Sequence, residues 1–252
     1  MTRAAFTLWR RELTRFFRQP SRIAGAVGTP LLVWVLLGSG FAGSFRLPGA
    51  PGMAGPGYLQ YFFPGTIVLV LLFAAIFSNI SVIEDRHEGF LQGVLVAPVP
   101  RSAVVAGKVL GGATLAWLQG VVFLALAPAT GLRLSVLSAL EAAGILAVLA
   151  FSLTALGFAF AWKVDSTQGF HAVMNVVLMP MWLLSGSFFP LDGAPLWLAE
   201  LMRINPLTYG VAALRQTLAG GRVPALSLAV SLLLGLAAFA AGLLATRGGR
   251  VD

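Results

Sequence analysis

FFPGTIVLVLLFAAIFSNISVI, residues 62–83, is a continuous run without a charged side chain. A helix that crosses the hydrocarbon of a bilayer needs about 20 mostly apolar residues. Backbone N–H and C=O groups must be paired within the segment in lipid, so we expect this run to be helical. Five further stretches qualify in the same way: 23–43, 103–127, 137–161, 170–189 and 224–245. The sequence therefore predicts an all-α polytopic membrane protein with six transmembrane helices, in a single transmembrane domain over residues 1–252.

Composition also favours the membrane class. Hydrophobic residues make up 58% of the chain and charged residues 10%, and the mean hydropathy is +0.88. A soluble domain would carry about 25% charged residues. The net charge is +8, but six of the 17 basic residues precede the first apolar stretch, which is typical of a topology signal. We therefore expect no nucleic-acid partner. The absence of cysteine excludes a thiolate metal site, and we expect no metal.

The distribution of Lys and Arg predicts the orientation of the chain. Six spans place both termini on the same side of the membrane. With the N-terminus inside, the inner regions hold 12 of the 17 basic residues and the outer regions hold five. Inner loops of membrane proteins are enriched in Lys and Arg, so both termini are expected in the cytoplasm. The predicted location is the cell (inner) membrane of a bacterium, with multiple passes and membrane lipids as partners.

Residues 1–22 are predicted to form an amphipathic interfacial helix. The apolar side chains fall on one arc of a helical wheel: Phe6, Trp9, Leu13, Phe16 and Phe17. The basic side chains fall on the other side: Arg11, Arg15 and Arg18. This pattern is typical of a helix that lies along the inner leaflet with its Arg side chains near anionic headgroups. The alternative is a basic N-terminus that only sets the topology.

The residues offer little support for catalysis. His87 lacks the second histidine of a zinc-protease helix, and Ser185 has no histidine at its depth to act as a base. A phosphate-binding G-x-x-x-x-G-K-[ST] loop is missing, because Gly107-Lys108 is followed by Val109. We therefore expect that the chain is not an enzyme, that it has no ATPase site and that it holds no cofactor.

Charge inside the predicted spans is scarce. Glu141 is the one acidic candidate, and we interpret it as complementing the dipole at the N-terminus of its helix. The alternative is a substrate or proton role for that carboxylate. Ion-coupled transporters normally carry intramembrane charge. An energised transporter without such groups and without an ATP site would take its energy from a partner.

Two blocks of sequence resemble a known family. Residues 84–108, with EDRHEG, then VAPVPR and then GK, resemble the loop after the second span of type-2 export permeases of ATP-binding-cassette transporters. Residues 183–190, LLSGSFFP, followed by NPLTY at 205–209 and by Arg215, resemble the outer-end signature of the same family. The resemblance covers essentially the whole chain. Phe90 departs from it, because many members carry a small or hydroxyl residue there.

The resemblance implies that residues 84–101 are a cytoplasmic coupling helix. It would dock on a separate ATPase, present in two copies, that carries ATP and Mg. In the sequence itself, Gly89 permits a tight turn, an apolar stripe follows, and Pro98 helps to end the helix. The alternative is a solvated loop with topogenic charges. The candidate coupling residues are Glu84, Arg86, Glu88, Gly89, Phe90, Leu91, Val94, Leu95, Pro98 and Arg101.

Residues 190–222 are too interrupted by proline to span. Two short interfacial helices at the outer surface, or a re-entrant pair, fit this segment better. The resemblance implies an outer gate here, and the alternative is a connector that only closes the fold. The candidate gate residues are Ser185, Gly186, Phe189, Pro190, Asn205, Pro206 and Tyr209.

Family membership would imply that two such subunits, either two copies of this permease or one with a close relative, enclose a pathway. Spans 62–83 and 170–189 would line a cavity, with the candidates Phe73, Phe77, Asn79, Met174, Asn175, Met179 and Trp182. These faces are apolar and aromatic, so we expect export of a hydrophobic or amphipathic cargo (drug-like, lipid or lipid-linked glycan) from the cytoplasm or the inner leaflet. The alternatives are an ATP-independent membrane channel or secondary transporter, and a non-transporting scaffold.

Overall fold

The computed structural model describes residues 2–41 and 57–248, without the side chains of Arg22, Leu95 and Arg247. The end of the first predicted span and the candidate coupling side chain of Leu95 therefore lie outside the described residues. Within residues 2–41 and 57–248, every regular element is helical. The prediction of an all-α protein is confirmed.

Eleven α-helices follow one another along the described chain: α1 (Thr2–Phe17), α2 (Pro20–Gly40), α3 (Tyr58–His87), α4 (Phe90–Val96), α5 (Arg101–Leu124), α6 (Val136–Lys163), α7 (Thr167–Val173), α8 (Met179–Trp182), α9 (Leu196–Ile204), α10 (Pro206–Leu218) and α11 (Ala225–Gly248). Two π-helical turns, Met174–Leu178 and Leu183–Ser187, make α7 and α8 part of one longer segment, Thr167–Ser187. In the part of the chain that the structure describes, six helical segments are long and apolar enough to cross a membrane, as predicted.

Helix α3 lies at the centre of the bundle. Every residue from Tyr61 to Leu72 is buried, because α2, α5 and α6 pack around it. Trp34 of α2 joins Phe63 and Phe123 in an aromatic cluster with ring centroids 5.4 to 5.8 Å apart. Helices α2 and α11 lie at the periphery, and only 22% of each spanning window is buried. Both therefore leave a broad apolar surface for lipid or for another subunit.

The bundle has two ends that differ in structure. We call the end formed by α1, α4 and the last turn of α3 the α1 end, and the opposite end, formed by α9 and α10, the α9 end. The predicted pair of short helices in residues 190–222 is present as α9 and α10. Asn205 separates them and caps α10 by accepting a hydrogen bond from the Leu207 N–H at 3.1 Å.

Helix α1 differs from its predicted arrangement. It ends at Phe17, and α2 begins at Pro20, so the interfacial element is shorter than residues 1–22. Its buried side chains are Leu8, Glu12 and Phe16, whereas Phe6 is 59% exposed. The predicted apolar arc therefore does not face a single surface. The wheel pattern could not show that α1 packs along α5, which buries a different face of the helix.

Candidate coupling and gating sites

Gly89 forms a sharp joint between α3 and α4. Its φ of 76° is left-handed, a conformation that is costly for residues with a Cβ atom. The Glu88 N–H donates to the Glu84 carbonyl at 2.8 Å and closes the last turn of α3. Residues 84–87 therefore belong to α3, and the predicted coupling helix is shorter, at Phe90–Val96. An extended segment with Pro98 and Pro100 then leads into α5.

The inner side of α4 packs on α1 and α5. Leu91 is 3% exposed and forms a small apolar cluster with Leu8 and Val104. The Arg11 guanidinium lies 3.7 Å from the centre of the Phe90 ring, which is a cation–π contact. Helix α4 is therefore attached to the subunit by apolar and cation–π contacts. Leu91 belongs to that attachment and is not part of the exposed surface.

A buried ionic network connects α1, α3 and α5. The Asp85 carboxylate is fully buried and accepts hydrogen bonds from Arg11 at 2.7 and 2.8 Å and from Arg15 at 2.6 Å. Lys108 donates to Asp85 and also to Glu12, the latter at 2.6 Å. Buried charges are tolerated when they are paired and hydrogen-bonded. Each carboxylate here has cationic partners, so the network is balanced.

The Arg11 guanidinium is charged in this network. Burial alone would lower the pKa of Arg11, but the hydrogen bond and the charge of Asp85 outweigh it and raise that pKa above its ordinary value. Arg15 extends the network toward α4, because it also donates to Glu84 at 2.8 Å. The charges therefore run from the middle of α1 to the joint between α3 and α4.

Two glycines let α1 approach α5 closely enough for these contacts. A Cβ atom on Gly107 would lie 2.6 Å from the Leu8 Cβ, and one on Gly111 would lie 2.8 Å from the Glu12 Cβ. Small residues four positions apart permit such close helix packing in membranes. The G-x-x-x-G pattern therefore receives α1 within the same subunit.

Two of the remaining candidate coupling residues donate hydrogen bonds to backbone carbonyl groups, and the others differ in their exposure. Arg86 donates to the carbonyl groups of Trp162 at 2.6 Å and Val164 at 3.2 Å, where it caps the end of α6. Arg101 donates to the Thr246 carbonyl of α11. Arg101 is exposed, as are the candidates Glu88 and Pro98, and Val94 is half-buried. Three further exposed residues of α4 were not singled out from the sequence: Gln92, Gly93 and Val96, the last 89% exposed.

At the α9 end, Gly186 organises the last turn of the fifth span. It has a φ of 75°, and its carbonyl accepts hydrogen bonds from the Tyr61 hydroxyl at 2.8 Å and from Arg215 at 2.7 Å. The Arg215 guanidinium also lies 4.2 Å from the centre of the Tyr61 ring. One backbone carbonyl thus connects the fifth span with α3 and α10.

Other candidate gate residues surround the same turn. The candidate Ser185 and its neighbour Ser187, which was not a candidate, are buried with their hydroxyl oxygens 2.6 Å apart. Asn205 donates to the Met181 carbonyl at 2.6 Å, and the exposed Tyr209 hydroxyl donates to the Arg203 carbonyl at 3.1 Å. Three more candidates lie half-buried in this region: Phe189, Pro190 and Pro206. The structure brings the candidate gate residues together around Gly186. The hydrogen bonds of Asn205 and Arg215 hold α10 against the fifth span.

The candidate cavity residues divide by burial. Three are buried inside the subunit: Asn79, Met174 and Trp182. Asn79 donates to the Thr154 carbonyl at 3.2 Å, and Trp182 donates to the Gly65 carbonyl at 2.8 Å. Three are half-buried, Phe73, Phe77 and Met179, and Asn175 is exposed. A pathway lined by the buried three would need the helices of the subunit to separate.

A family model described as ABC-2 type transporter matches residues 3–219. The chain belongs to the ABC-2 type transporter family. It is 25% identical over 219 residues to the daunorubicin resistance ABC transporter permease protein DrrB1 of Streptomyces coeruleorubidus, covering 84% of this chain and 74% of the relative. It is also 25% identical over 217 residues to the inner membrane transport permease YadH of Escherichia coli K12, covering 83% and 80%.

The chain is therefore a transmembrane subunit of an ABC transporter and a multi-pass membrane protein. Members of the ABC-2 family normally partner with a cytoplasmic ABC ATPase and are generally not catalytic themselves. The expectation of a type-2 permease is confirmed. The contacts of Asp85 and Lys108 are findings of the structure.

Sequence reasoning missed this network. Glu12, Lys108 and the pairing of Asp85 were not recognised, and the spans were expected to be almost free of charge. Lys108 lies seven residues into α5, about 10 Å from its start at 1.5 Å per residue. A lysine within an apolar span requires a buried counter-charge, and that requirement was the available signal.

Proposed function

We propose that this chain is the permease subunit of an ATP-driven exporter in a bacterial inner membrane. In this proposal the α1 end faces the cytoplasm, where two copies of a separate ABC ATPase carry ATP and Mg. Two permease subunits, alike or closely related, enclose the pathway. The excess of Lys and Arg in the regions on the side of the termini supports this orientation.

The single observation that carries the proposal is how α4 is held. Its inner side is packed on Leu8 and Val104, while Glu88, Gln92 and Val96 are exposed. A short amphipathic helix at the end of a bundle, packed on one side and exposed on the other, is suited to a groove of a partner protein. The ionic network and the Gly89 joint attach this surface to α1, α3 and α5. A force that the ATPase exerts on α4 would therefore act on α1, α3 and α5 together.

A second subunit is supported by the outer side of the fifth span. Asn175 is exposed there, next to Val176, which is 73% exposed. An amide that faces lipid would be left without hydrogen-bond partners, whereas a neighbouring subunit or a hydrated pathway satisfies it. This face, with Asn175 on it, is therefore the one we assign to the interface between subunits.

An amphipathic cargo is supported by the residues of these spans and by one relative. Phe73, Phe77 and Met179 are half-buried apolar side chains on the two spans assigned to the pathway. DrrB1 is named for daunorubicin resistance. We therefore propose a drug-like, lipid or lipid-linked cargo that leaves the cytoplasm or the inner leaflet.

Co-purification tests the proposal. The chain is co-expressed with the ATPase encoded beside it, in the wild-type form and with Val96→Asp on α4. Val136→Asp is the matched control, because Val136 is 80% exposed at the opposite end of the bundle. We expect the ATPase to co-purify with the wild type and the control and to be lost with Val96→Asp. Retention of the ATPase by Val96→Asp, or its absence from all three preparations, would contradict the proposal.

A further inference from the structure

A cavity lies at the α9 end, and none of the candidate gate residues lines it. It has a volume of about 810 Å³ and is formed by the start of α6, the connection between α10 and α11, and the start of α11. Its volume falls in the range of about 300–1,000 Å³ that is common for ligand sites. Its apolar wall includes Leu137, Ile145, Val148, Val223 and Leu228. The polar residues that line it are Ser135, Ser138, Glu141 and Arg222.

Glu141 and Arg222 carry opposite charges into this cavity from different elements. Glu141 lies on α6, and Arg222 lies in the connection before α11. Among the described residues, neither side chain forms an ion pair or hydrogen bond with the other or with any third residue. Both are exposed in the isolated subunit. Among residues 2–41 and 57–248, the cavity therefore holds one anionic and one cationic side chain that have no protein partner.

The position of Glu141 makes it unfavourable for its carboxylate to lack a cationic partner. It lies five residues after Val136, about 7.5 Å into the helix at 1.5 Å per residue. The first turn of α6 contains no acidic residue, so the interpretation of Glu141 as a partner of the helix dipole is weak, because that effect fades within one turn. Leu137 and Leu140 beside it are 67% and 66% exposed, so Glu141 lies next to an exposed apolar surface at the end of a spanning helix. A carboxylate there needs a cationic partner.

We propose that this cavity binds one aminophospholipid. The ammonium group of its headgroup pairs with Glu141, the phosphate pairs with Arg222, and the upper acyl chains lie along Ile145, Val148 and Leu228. A headgroup with both charges satisfies both side chains, whereas an anionic lipid leaves Glu141 without a cation. The Ser135 and Ser138 hydroxyls add hydrogen-bonding capacity at the polar end. The proposal does not depend on the ATPase; only the leaflet, which is the outer one, follows from the proposed orientation.

Native mass spectrometry of the purified chain in detergent tests the site. Phosphatidylethanolamine, phosphatidylcholine and phosphatidylglycerol are added at equal concentrations, and the lipid-bound fraction is measured for each. We expect phosphatidylethanolamine to bind most tightly, because its ammonium group donates hydrogen bonds to Glu141. Phosphatidylcholine has a cation without N–H donors, and phosphatidylglycerol has no cation. Equal binding of all three lipids by the wild type would overturn the proposal.

Substitutions locate the bound lipid. Glu141→Gln should weaken phosphatidylethanolamine binding about tenfold or more, the effect of losing one charge-assisted hydrogen bond. Arg222→Gln should weaken all three phospholipids alike, because each carries a phosphate. Glu200→Gln and Arg203→Gln are matched controls at the same end, since these two side chains pair with each other at 2.6 Å outside the cavity. If Glu141→Gln binds phosphatidylethanolamine as tightly as the wild type does, the proposal is overturned. It is also overturned if either control loses as much of this binding as Glu141→Gln. The order in which the wild type binds the three lipids tests the proposal even if a variant fails to fold.

Discussion

Lys108 of α5 and Asp85 of α3 form an ion pair from which solvent is almost excluded, with side-chain exposures of 2% and 0%. Glu12 of α1 contacts the same ammonium group, so three helices meet at one cation. The pair lies where the central helix approaches the joint to α4. Any movement that separates α3 from α5 at this end has to break a buried charge contact. The network thus holds α1, α3 and α5 together at the α1 end.

Loss of the Lys108 charge should destabilise the subunit. Lys108→Met removes the nearer cation of Glu12 and leaves it only Arg11, at 3.3 Å, whereas Asp85 keeps Arg11 and Arg15. We expect a loss of about 3 kcal/mol, the lower end of the range for breaking a buried pair. Lys163→Met is the control, because Lys163 is exposed at the same end. The measurement is the thermal unfolding midpoint in detergent. Equal midpoints for the two variants would show that the buried pair does not stabilise the fold.

Gly107→Ala should displace α1 from α5. The added methyl group would lie 2.6 Å from the Leu8 Cβ and 2.9 Å from the Ala5 carbonyl oxygen, which is closer than packed atoms tolerate. Limited trypsin digestion measures this displacement, because α1 contains exposed Arg10. Gly28→Ala in α2 is the matched control, since no atom lies within 4 Å of its added methyl group. We expect faster cleavage of α1 only in Gly107→Ala. Unchanged cleavage would contradict close packing of α1 on α5.

Gly89→Ala should uncouple the ATPase from the permease. The left-handed φ of 76° costs about 1–2 kcal/mol for a residue with a Cβ atom, so α4 would be tilted. We expect a lower rate of ATP hydrolysis by the reconstituted complex, with the permease itself still folded. Gly131→Ala is the control, because Gly131 also has a left-handed φ, of 85°, lies between α5 and α6 away from α4, and its added methyl group meets no atom within 4 Å. The same hydrolysis rate in both variants would exclude a special role for the joint.

Tyr61→Phe should loosen the α9 end. The Tyr61 hydroxyl is buried where it donates to the Gly186 carbonyl, and a typical hydrogen bond contributes about 1 kcal/mol. Tyr209→Phe is the matched control, since its bond to the Arg203 carbonyl is exposed. Hydrogen exchange of the segment around Gly186 measures the difference. We expect faster exchange in Tyr61→Phe alone, and equal exchange would show that this contact does not hold the segment.

The six spans were predictable because length and apolarity suffice to identify a membrane helix. The joint at Gly89 and the two short helices around Asn205 were also predictable, because glycine and proline limit the local backbone. The pairing of Arg11 with Asp85 could not be predicted, because Asp85 lies 74 residues away in the sequence. A helical wheel shows which side chains share a face, but it does not show what that face meets. The inward position of Leu91 was missed for the same reason.

ATP-dependent transport is the most direct test of the central claim. Inverted membrane vesicles that contain the chain and its ATPase are given a fluorescent amphipathic compound of the proposed cargo class, with and without ATP, and uptake is followed for the wild type and for Val96→Asp. The account predicts uptake that requires both ATP and the ATPase and that is lost with Val96→Asp. Uptake of the same rate without ATP or without the ATPase would contradict it and would favour a channel or a secondary transporter.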